Sequence, residues 1–212
     1  MAASVTMPPQ ISWNPEPLRM PKIVAKEHFD GASSKIDRLG IGPLIDEIEQ
    51  IVSGFPLHVL NKPLSNGGAV LREMIDARFE ERNWAQNKIG GIDWLKCKQI
   101  NGTRVCVGCE IQVSGRSELI YRDLSHFRLS IITDGRIDLA VEVTASDALA
   151  KLLTDRVLSH SYALQIIKET RSEDLPIVLI AIEHDGFSET ALPKKKTNRG
   201  TGKSKKRRKP QN

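Results

Sequence analysis

Apolar and other side chains alternate strictly along residues 104–113, which is the pattern of a β-strand with one buried face. Asn101-Gly102 stands just before this run. Asn-Gly between two strands is the strongest short hairpin signal, because a type I′ turn needs positive φ at both central positions. A turn centred there places residues opposite each other in pairs: Ile100 with Thr103, Lys98 with Val105, and Asp93 with Glu110. The apolar face is predicted to line a core, although a surface strand would show the same alternation.

Apolar residues at helical spacing predict three helices, over 36–52, about 69–82 and 146–170. Short apolar runs predict further strands, at 119–124, 129–133, 137–143 and 177–182. Asp134-Gly135 marks a second turn ahead of the third of these runs. Two helices, a group of strands, a helix and a last strand together indicate an α/β fold, with a mixed central β-sheet flanked by helices.

The length of 212 residues is enough for one full-sized core, so we predict a single folded domain over residues 23–193. Residues 1–22 contain five of the eleven prolines and are predicted to form an extended N-terminal arm. Residues 194–212 are predicted to be a disordered basic tail, because they are rich in charge and almost lack apolar side chains.

The charge of the chain is divided sharply between this tail and the rest. Residues 194–212 contain ten basic and no acidic side chains, whereas the whole chain carries a net charge of +5. A basic tail on an acidic body is typical of a non-specific anchor on nucleic acid, with Lys205, Lys206, Arg207 and Arg208 as its expected DNA contacts. A solubilising tail or an address signal would have the same composition.

The chain shows no signal for export or for a membrane. Its longest apolar run, 177–182, is far shorter than the about 20 residues that cross a bilayer, and residues 1–10 lack a secretory pattern. We therefore expect a cytoplasmic protein with no membrane partner. The three cysteines, Cys97, Cys106 and Cys109, are then expected to be reduced thiols. The Cys106-x-x-Cys109 spacing on a strand directs the two sulfurs to opposite faces, which argues against a zinc site.

Three oxygen-bearing side chains meet on one face of the predicted hairpin. Asp93 lies across from Glu110, and Gln112 follows on the same face because side chains alternate with a period of two. Two carboxylates of this kind are candidate ligands for Mg²⁺ in metal-assisted hydrolysis of a phosphodiester. In sites with two such carboxylates, the third side chain on the same face is often a lysine. Gln112 has no charge and can only orient or polarise a water molecule.

Several segments, in this order, resemble the BglII/BstYI group of type II restriction endonucleases, which belongs to the PD-(D/E)XK nuclease superfamily. They are residues 92–94, 109–113, 121–124, 137–143 and 176–180, within a resemblance that covers about residues 69–183. The most specific element is Gln112 in place of the superfamily lysine. The resemblance implies a homodimeric, Mg²⁺-dependent enzyme that cleaves both strands of double-stranded DNA at a short palindromic site centred on GATC. It also implies a cognate DNA methyltransferase in the same system.

The resemblance assigns roles to individual residues. Asp93 and Glu110 match the metal-binding acids, and Gln112 matches the third position of the motif. Glu73, in the segment 71–74, is the nearest candidate for an accessory polar residue supplied by a helix. The interval between Asp93 and Glu110 is longer than in the closest members of the group, and the basic tail is not part of the group's pattern.

Two other functions are consistent with the sequence. One is a PD-(D/E)XK nuclease that acts in DNA repair without a fixed recognition sequence. The other is a non-catalytic DNA-binding protein that uses the basic tail and retains the acids only as remnants.

Two further polar residues stand near the predicted strands. Glu142 is expected to be either solvated or a second acid supporting the site. His126 lies between apolar neighbours and is expected to be a packed histidine rather than a functional one.

Overall fold

A computed structural model describes residues 18–86, 91–154 and 156–194 of the chain. Six strands form one sheet: β1 (Lys22–His28), β2 (Ala85–Gln86), β3 (Trp94–Ile100), β4 (Thr103–Gln112), β5 (Leu139–Ala145) and β6 (Ile177–Glu183). Six α-helices are described: α1 (Ala32–Leu39), α2 (Gly42–Ser53), α3 (Gly68–Glu81), α4 (Leu119–Arg128), α5 (Asp147–Leu152) and α6 (His160–Glu169).

The sheet is mixed, with strand order β1-β6-β5-β4-β3-β2. At its centre, β4 pairs in parallel with β5, and β5 pairs in parallel with β6. The outer pairs, β1 with β6, β4 with β3 and β3 with β2, are antiparallel. Apolar residues of α1, α2, α3 and α5 cover one face, and those of α4 and α6 cover the other. Covering both faces buries all of β5 and most of β4 and β6, as is usual for parallel strands. The predicted mixed sheet flanked by helices is confirmed.

The hairpin has the predicted register. Ile100 pairs with Thr103 and Trp94 with Cys109, so Asp93, just outside β3, comes opposite Glu110. Asn101 and Gly102 have φ values of 51° and 79°, the left-handed conformation that this turn requires. The alternation along β4 is also confirmed, because its apolar side chains join one core while Glu110 and Gln112 lie on the opposite face.

Two of the predicted helices are each divided in two. The span 36–52 is broken at Gly40, whose φ of 67° ends α1, and Pro43 stands at the start of α2. The span 146–170 holds α5 and α6 as separate helices. Ser146 begins α5 by accepting a hydrogen bond from the Leu149 N–H at 3.0 Å.

The prediction of strands at 119–124 and 129–133 is wrong. Residues 119–128 form helix α4, and Leu129–Thr133 continues it as a π-helical turn. The buried side chains of this segment include Ile120, Leu124 and Phe127, which follow helical spacing and pack against the same apolar cluster as α6. The correction matters for function because α4 faces the end of β4.

The expectation of three reduced thiols is wrong for two of them. Cys97 and Cys106 are joined by a disulfide, whereas Cys109 is a free, buried cysteine. The physical reason lies in the hairpin, since Cys97 and Cys106 are directly opposite each other and project from one face of it. Cys109 lies on the other face, which agrees with the predicted division of the Cys106-x-x-Cys109 pair.

Reduction of this disulfide is expected to lower the stability of the fold. The bond closes a loop with a sequence separation of 9, and such a constraint on the unfolded chain contributes about 2 kcal/mol. For a chain of this size that corresponds to a fall in Tm of about 4–8 °C. Thermal unfolding followed by circular dichroism, with and without reductant, measures it. Cys97→Ser should be insensitive to reductant, and an unchanged Tm in the unsubstituted protein would contradict the expectation.

Two predicted segments lie largely outside the described residues. They are the N-terminal arm, described only from residue 18, and the basic tail, described only at Lys194. The division into arm, domain and tail therefore stays a prediction. None of the described helices has both the length and the apolar composition needed to cross a bilayer.

Candidate active site

Asp93 is held at the end of the hairpin by backbone and side-chain contacts. Its Oδ2 accepts a hydrogen bond from the Ile111 N–H at 3.0 Å and lies 3.1 Å from the Arg72 guanidinium. Arg72 Nη1 also donates to the Ile111 carbonyl at 2.7 Å. The side chain of Asp93 remains 22% exposed, so one edge of the site is open to solvent. These contacts fix the carboxylate beside the last residues of β4.

Arg72 reaches this position from α3, where a second acid supports it. Its Nε donates to both carboxylate oxygens of Asp76, at 2.7 and 2.8 Å, and Trp94 Nε1 donates to Asp76 at 2.9 Å. The negative charges of Asp93 and Asp76 raise the pKa of Arg72 although burial opposes this. Arg72 is therefore the side chain through which α3 contacts Asp93. Glu73 is on the exposed side of the helix, and its accessory role stays a prediction.

Glu110 and Glu142 lie side by side on neighbouring parallel strands and are both fully buried. The four carboxylate oxygens of this pair make no hydrogen bond. Burial, followed by the charge of Asp93, raises the pKa of Glu110 to about 11. Burial, followed by the charge of Asp123, raises the pKa of Glu142 well above its usual value. The expectation that Glu142 is solvated is wrong, because β5 is covered on both faces.

Gln112 is fixed by a residue of α4 that the sequence analysis did not assign to the site. Its Nε2 donates a short hydrogen bond to Asp123 Oδ2, and Arg122 donates to Asp123 Oδ1 at 3.0 and 3.1 Å. Burial raises the pKa of Asp123, and the charge of Arg122 opposes this rise. Because an ionised carboxylate only accepts hydrogen bonds, the amide nitrogen must face Asp123. The amide oxygen of Gln112 is left to contact water or substrate.

His126 is packed, as expected, and it also lies beside Glu110. Its Nδ1 lies 3.8 Å from Glu110 Oε1, and its side chain is 25% exposed. The ring also packs on the backbone of Gly91, where a Cβ would come within 2.1 Å of His126 Cε1. Glu110, Asp123 and His126 each offer one ligand atom, and these atoms all lie within 4.8 Å of one another. Asp123 and His126 both belong to α4, whose first six residues carry the pattern of a strand.

The donors of the site suit a divalent cation. Asp93, Glu110, Asp123 and Glu142 bring four carboxyls to one end of β4, against the guanidiniums of Arg72 and Arg122. Two of these acids are buried without any hydrogen-bond donor, which is costly unless a cation or a proton compensates them. Carboxylate oxygens are the ligands that Mg²⁺ and similar hard ions prefer. The residues present therefore fit a divalent metal, with Asp93 and Glu110 predicted to hold it.

Comparison with known proteins agrees with this geometry. A family model described as restriction endonuclease BglII/BglIII matches residues 41–182. The crystal structure of restriction endonuclease BglII complexed with a DNA 16-mer resembles this fold with a TM-score of 0.56. The two chains are 17% identical, and the similarity covers 79% of this chain and 80% of that one. No curated protein sequence matches the chain.

The family match includes every acid of the site as well as Gln112, and it spans more than half of the chain. The similarity to the solved structure supports the fold separately from the family match. The chain therefore belongs to the BglII/BglIII family of restriction endonucleases, and it is a type II restriction endonuclease.

Proposed function

We propose that this enzyme uses Mg²⁺, held by Asp93 and Glu110, to hydrolyse phosphodiesters in both strands of double-stranded DNA at a short palindromic sequence. A site centred on GATC is the recognition sequence to test first. The family uses a divalent metal, and the donor set of the site favours a hard ion. The observation that carries the proposal is Glu110, fully buried beside Asp93 with neither oxygen hydrogen-bonded.

The side chains of the site divide the work of this reaction. When bound, Mg²⁺ would neutralise charge that develops on the scissile phosphate and assist the activation of water. Arg72 and the Ile111 N–H orient Asp93, so that this carboxylate is placed before any ligand arrives. Asp123 turns the amide of Gln112 so that its oxygen can position the attacking water. Hydrolysis then replaces one P–O ester bond with a P–O bond to the water oxygen.

The way in which the protein meets DNA belongs to the same proposal. A two-fold homodimer would bring one active site to each strand of a palindrome, because protein symmetry then mirrors the symmetry of the sequence. The basic residues Lys205, Lys206, Arg207 and Arg208 would add non-specific, salt-dependent contacts to phosphates. We further propose that the enzyme is cytoplasmic and that a cognate methyltransferase protects the host's own sites.

Digestion of plasmid DNA tests the proposal. With Mg²⁺ we expect discrete fragments whose sequenced ends share one palindromic motif, and with EDTA no cleavage. Plasmids that differ only in their GATC sites test the recognition sequence, and light scattering of the protein tests for twice the mass of one chain. Asp93→Asn is the matched inactive variant, because it retains the size of the side chain but removes the charge of a proposed Mg²⁺ ligand. Ends without a common motif would indicate a nuclease of the repair type instead. Salt-dependent binding without cleavage would indicate a non-catalytic DNA-binding protein.

A further inference from the structure

The side of Glu110 that faces α4 carries donors that the proposed Mg²⁺ position does not use. Asp123 and His126 are three residues apart on α4, so both side chains project from the same face of the helix. Their ligand atoms and one from Glu110 all lie within 4.8 Å of one another. Asp93 approaches Glu110 from the hairpin, where Arg72 and the Ile111 N–H hold it. Glu110 thus lies near two groups of side chains, one from the hairpin and one from α4.

The unpaired atoms of Glu110 and His126 together are a second observation that points to a positively charged ligand. Its side chain is 0% exposed, and neither of its oxygens has a hydrogen-bond partner. His126 Nδ1 is likewise buried without a hydrogen-bond partner and lies 3.8 Å from Glu110 Oε1. Buried polar groups of folded proteins are almost always satisfied by protein, water or an ion. Two adjacent buried groups that both lack a hydrogen-bond partner therefore indicate a ligand site.

We propose that Glu110, Asp123 and His126 form a second cation position, which takes a transition-metal ion such as Mn²⁺ in preference to Mg²⁺. The imidazole sets this preference, because imidazole nitrogen suits transition metals such as Fe²⁺, Ni²⁺ and Zn²⁺, whereas Mg²⁺ prefers oxygen; Mn²⁺ is the weakest-binding ion of that transition series and serves as its paramagnetic probe. Asp123 can bind an ion while it retains Arg122 and Gln112, since a carboxylate offers about four lone-pair sites. The inference rests on the proposed function to the extent that Glu110 belongs to both positions.

Electron spin-echo spectroscopy of the full-length protein with Mn²⁺ alone, without DNA, tests this inference. We expect modulation from a directly coordinated imidazole nitrogen in the unsubstituted protein and its loss in His126→Gln. Titration should show that the same variant binds Mn²⁺ at this position at least about tenfold more weakly, because loss of even a hydrogen-bonding partner of a metal ligand typically costs that much affinity. His184→Gln is the matched control, because His184 also faces a carboxylate, with Nε2 3.2 Å from Glu183 Oε1. This control should retain the nitrogen signal.

Further variants separate the two cation positions. Asp93→Asn should retain the nitrogen signal, and Asp123→Asn should weaken Mn²⁺ binding while thermal unfolding shows that the protein is folded. An unsubstituted protein without nitrogen modulation would overturn the inference, as would persistence of the signal in folded His126→Gln or its loss in folded Asp93→Asn. The spectrum of the unsubstituted protein decides the matter if a variant does not fold. A nitrogen signal without Mg²⁺-dependent cleavage would overturn the proposed function and leave this inference standing.

Discussion

Replacement of Glu110 by glutamine is expected to lower the rate of DNA cleavage by at least about 10³-fold. A metal contributes several kcal/mol of charge stabilisation in such reactions, and each 1.36 kcal/mol is tenfold in rate. Glutamine occupies the same volume as glutamate, so packing around β4 should be preserved. It carries no charge, however, and cannot neutralise a cation. Single-turnover cleavage of plasmid DNA with saturating Mg²⁺ measures the rate. DNA affinity, measured by gel shift without Mg²⁺, should change by no more than a few-fold.

The control for this variant is a glutamate outside the site. Glu118 is exposed just before α4, so Glu118→Gln makes the same chemical change away from the buried acids. It should cleave DNA at the unsubstituted rate. Cleavage by Glu110→Gln at a comparable rate would remove Glu110 from the proposed metal site. A loss of DNA affinity equal to the loss of rate would assign Glu110 to binding rather than to catalysis.

The hairpin could be predicted from sequence because its signals are local. Asn101-Gly102 determines the turn, and alternation along the following strand determines which side chains share a face. The opposition of Asp93 and Glu110 follows from these two facts alone. The same register also places Cys97 opposite Cys106. The register alone therefore predicts this pairing, whereas the expected reducing compartment predicts free thiols.

The contribution of α4 could not be predicted in the same way. Its apolar residues were assigned to two short strands, and runs of that length do not distinguish a buried helix from a strand. Once the segment is helical, Asp123 and His126 are on one face and reach β4 from above the sheet. The sequence of residues 119–133 alone does not determine which end of which strand this helix covers. That information resides in tertiary packing.

Glu142 shows the limit of alternation as a guide to exposure. Alternating strands are expected to be solvated on one face, but β5 lies between two parallel neighbours and is covered on both. The charged groups that act on its carboxyl include Arg72 of α3 and Asp123 of α4, which are distant from Glu142 in the sequence. Such a burial is unfavourable for stability and is tolerated at sites where charge is needed for function.

Replacement of Glu142 by glutamine is therefore expected to stabilise the protein, and by more as pH rises. Burial raises the pKa of Glu142 in the folded state, so between its unfolded value near 4.5 and the higher folded value only the folded chain holds the proton. Stability conferred by this group is fully present below the lower value and is lost as pH rises through the window. Glutamine does not titrate. Between pH 5.5 and 7.5 the advantage of Glu142→Gln should grow as pH rises, by at most about 1.4 kcal/mol per pH unit, the limit for one titrating group.

Thermal unfolding of the metal-free protein across this pH range measures the effect. Each kcal/mol of advantage corresponds to about 2–4 °C in Tm for a chain of this length. Glu118→Gln should follow the pH dependence of the unsubstituted protein, because the side chain it changes is exposed. A Glu142→Gln advantage that stays constant with pH would mean that this carboxyl titrates alike in the folded and unfolded states. The buried carboxyls around β4 would then not be the reason why the site favours a cation.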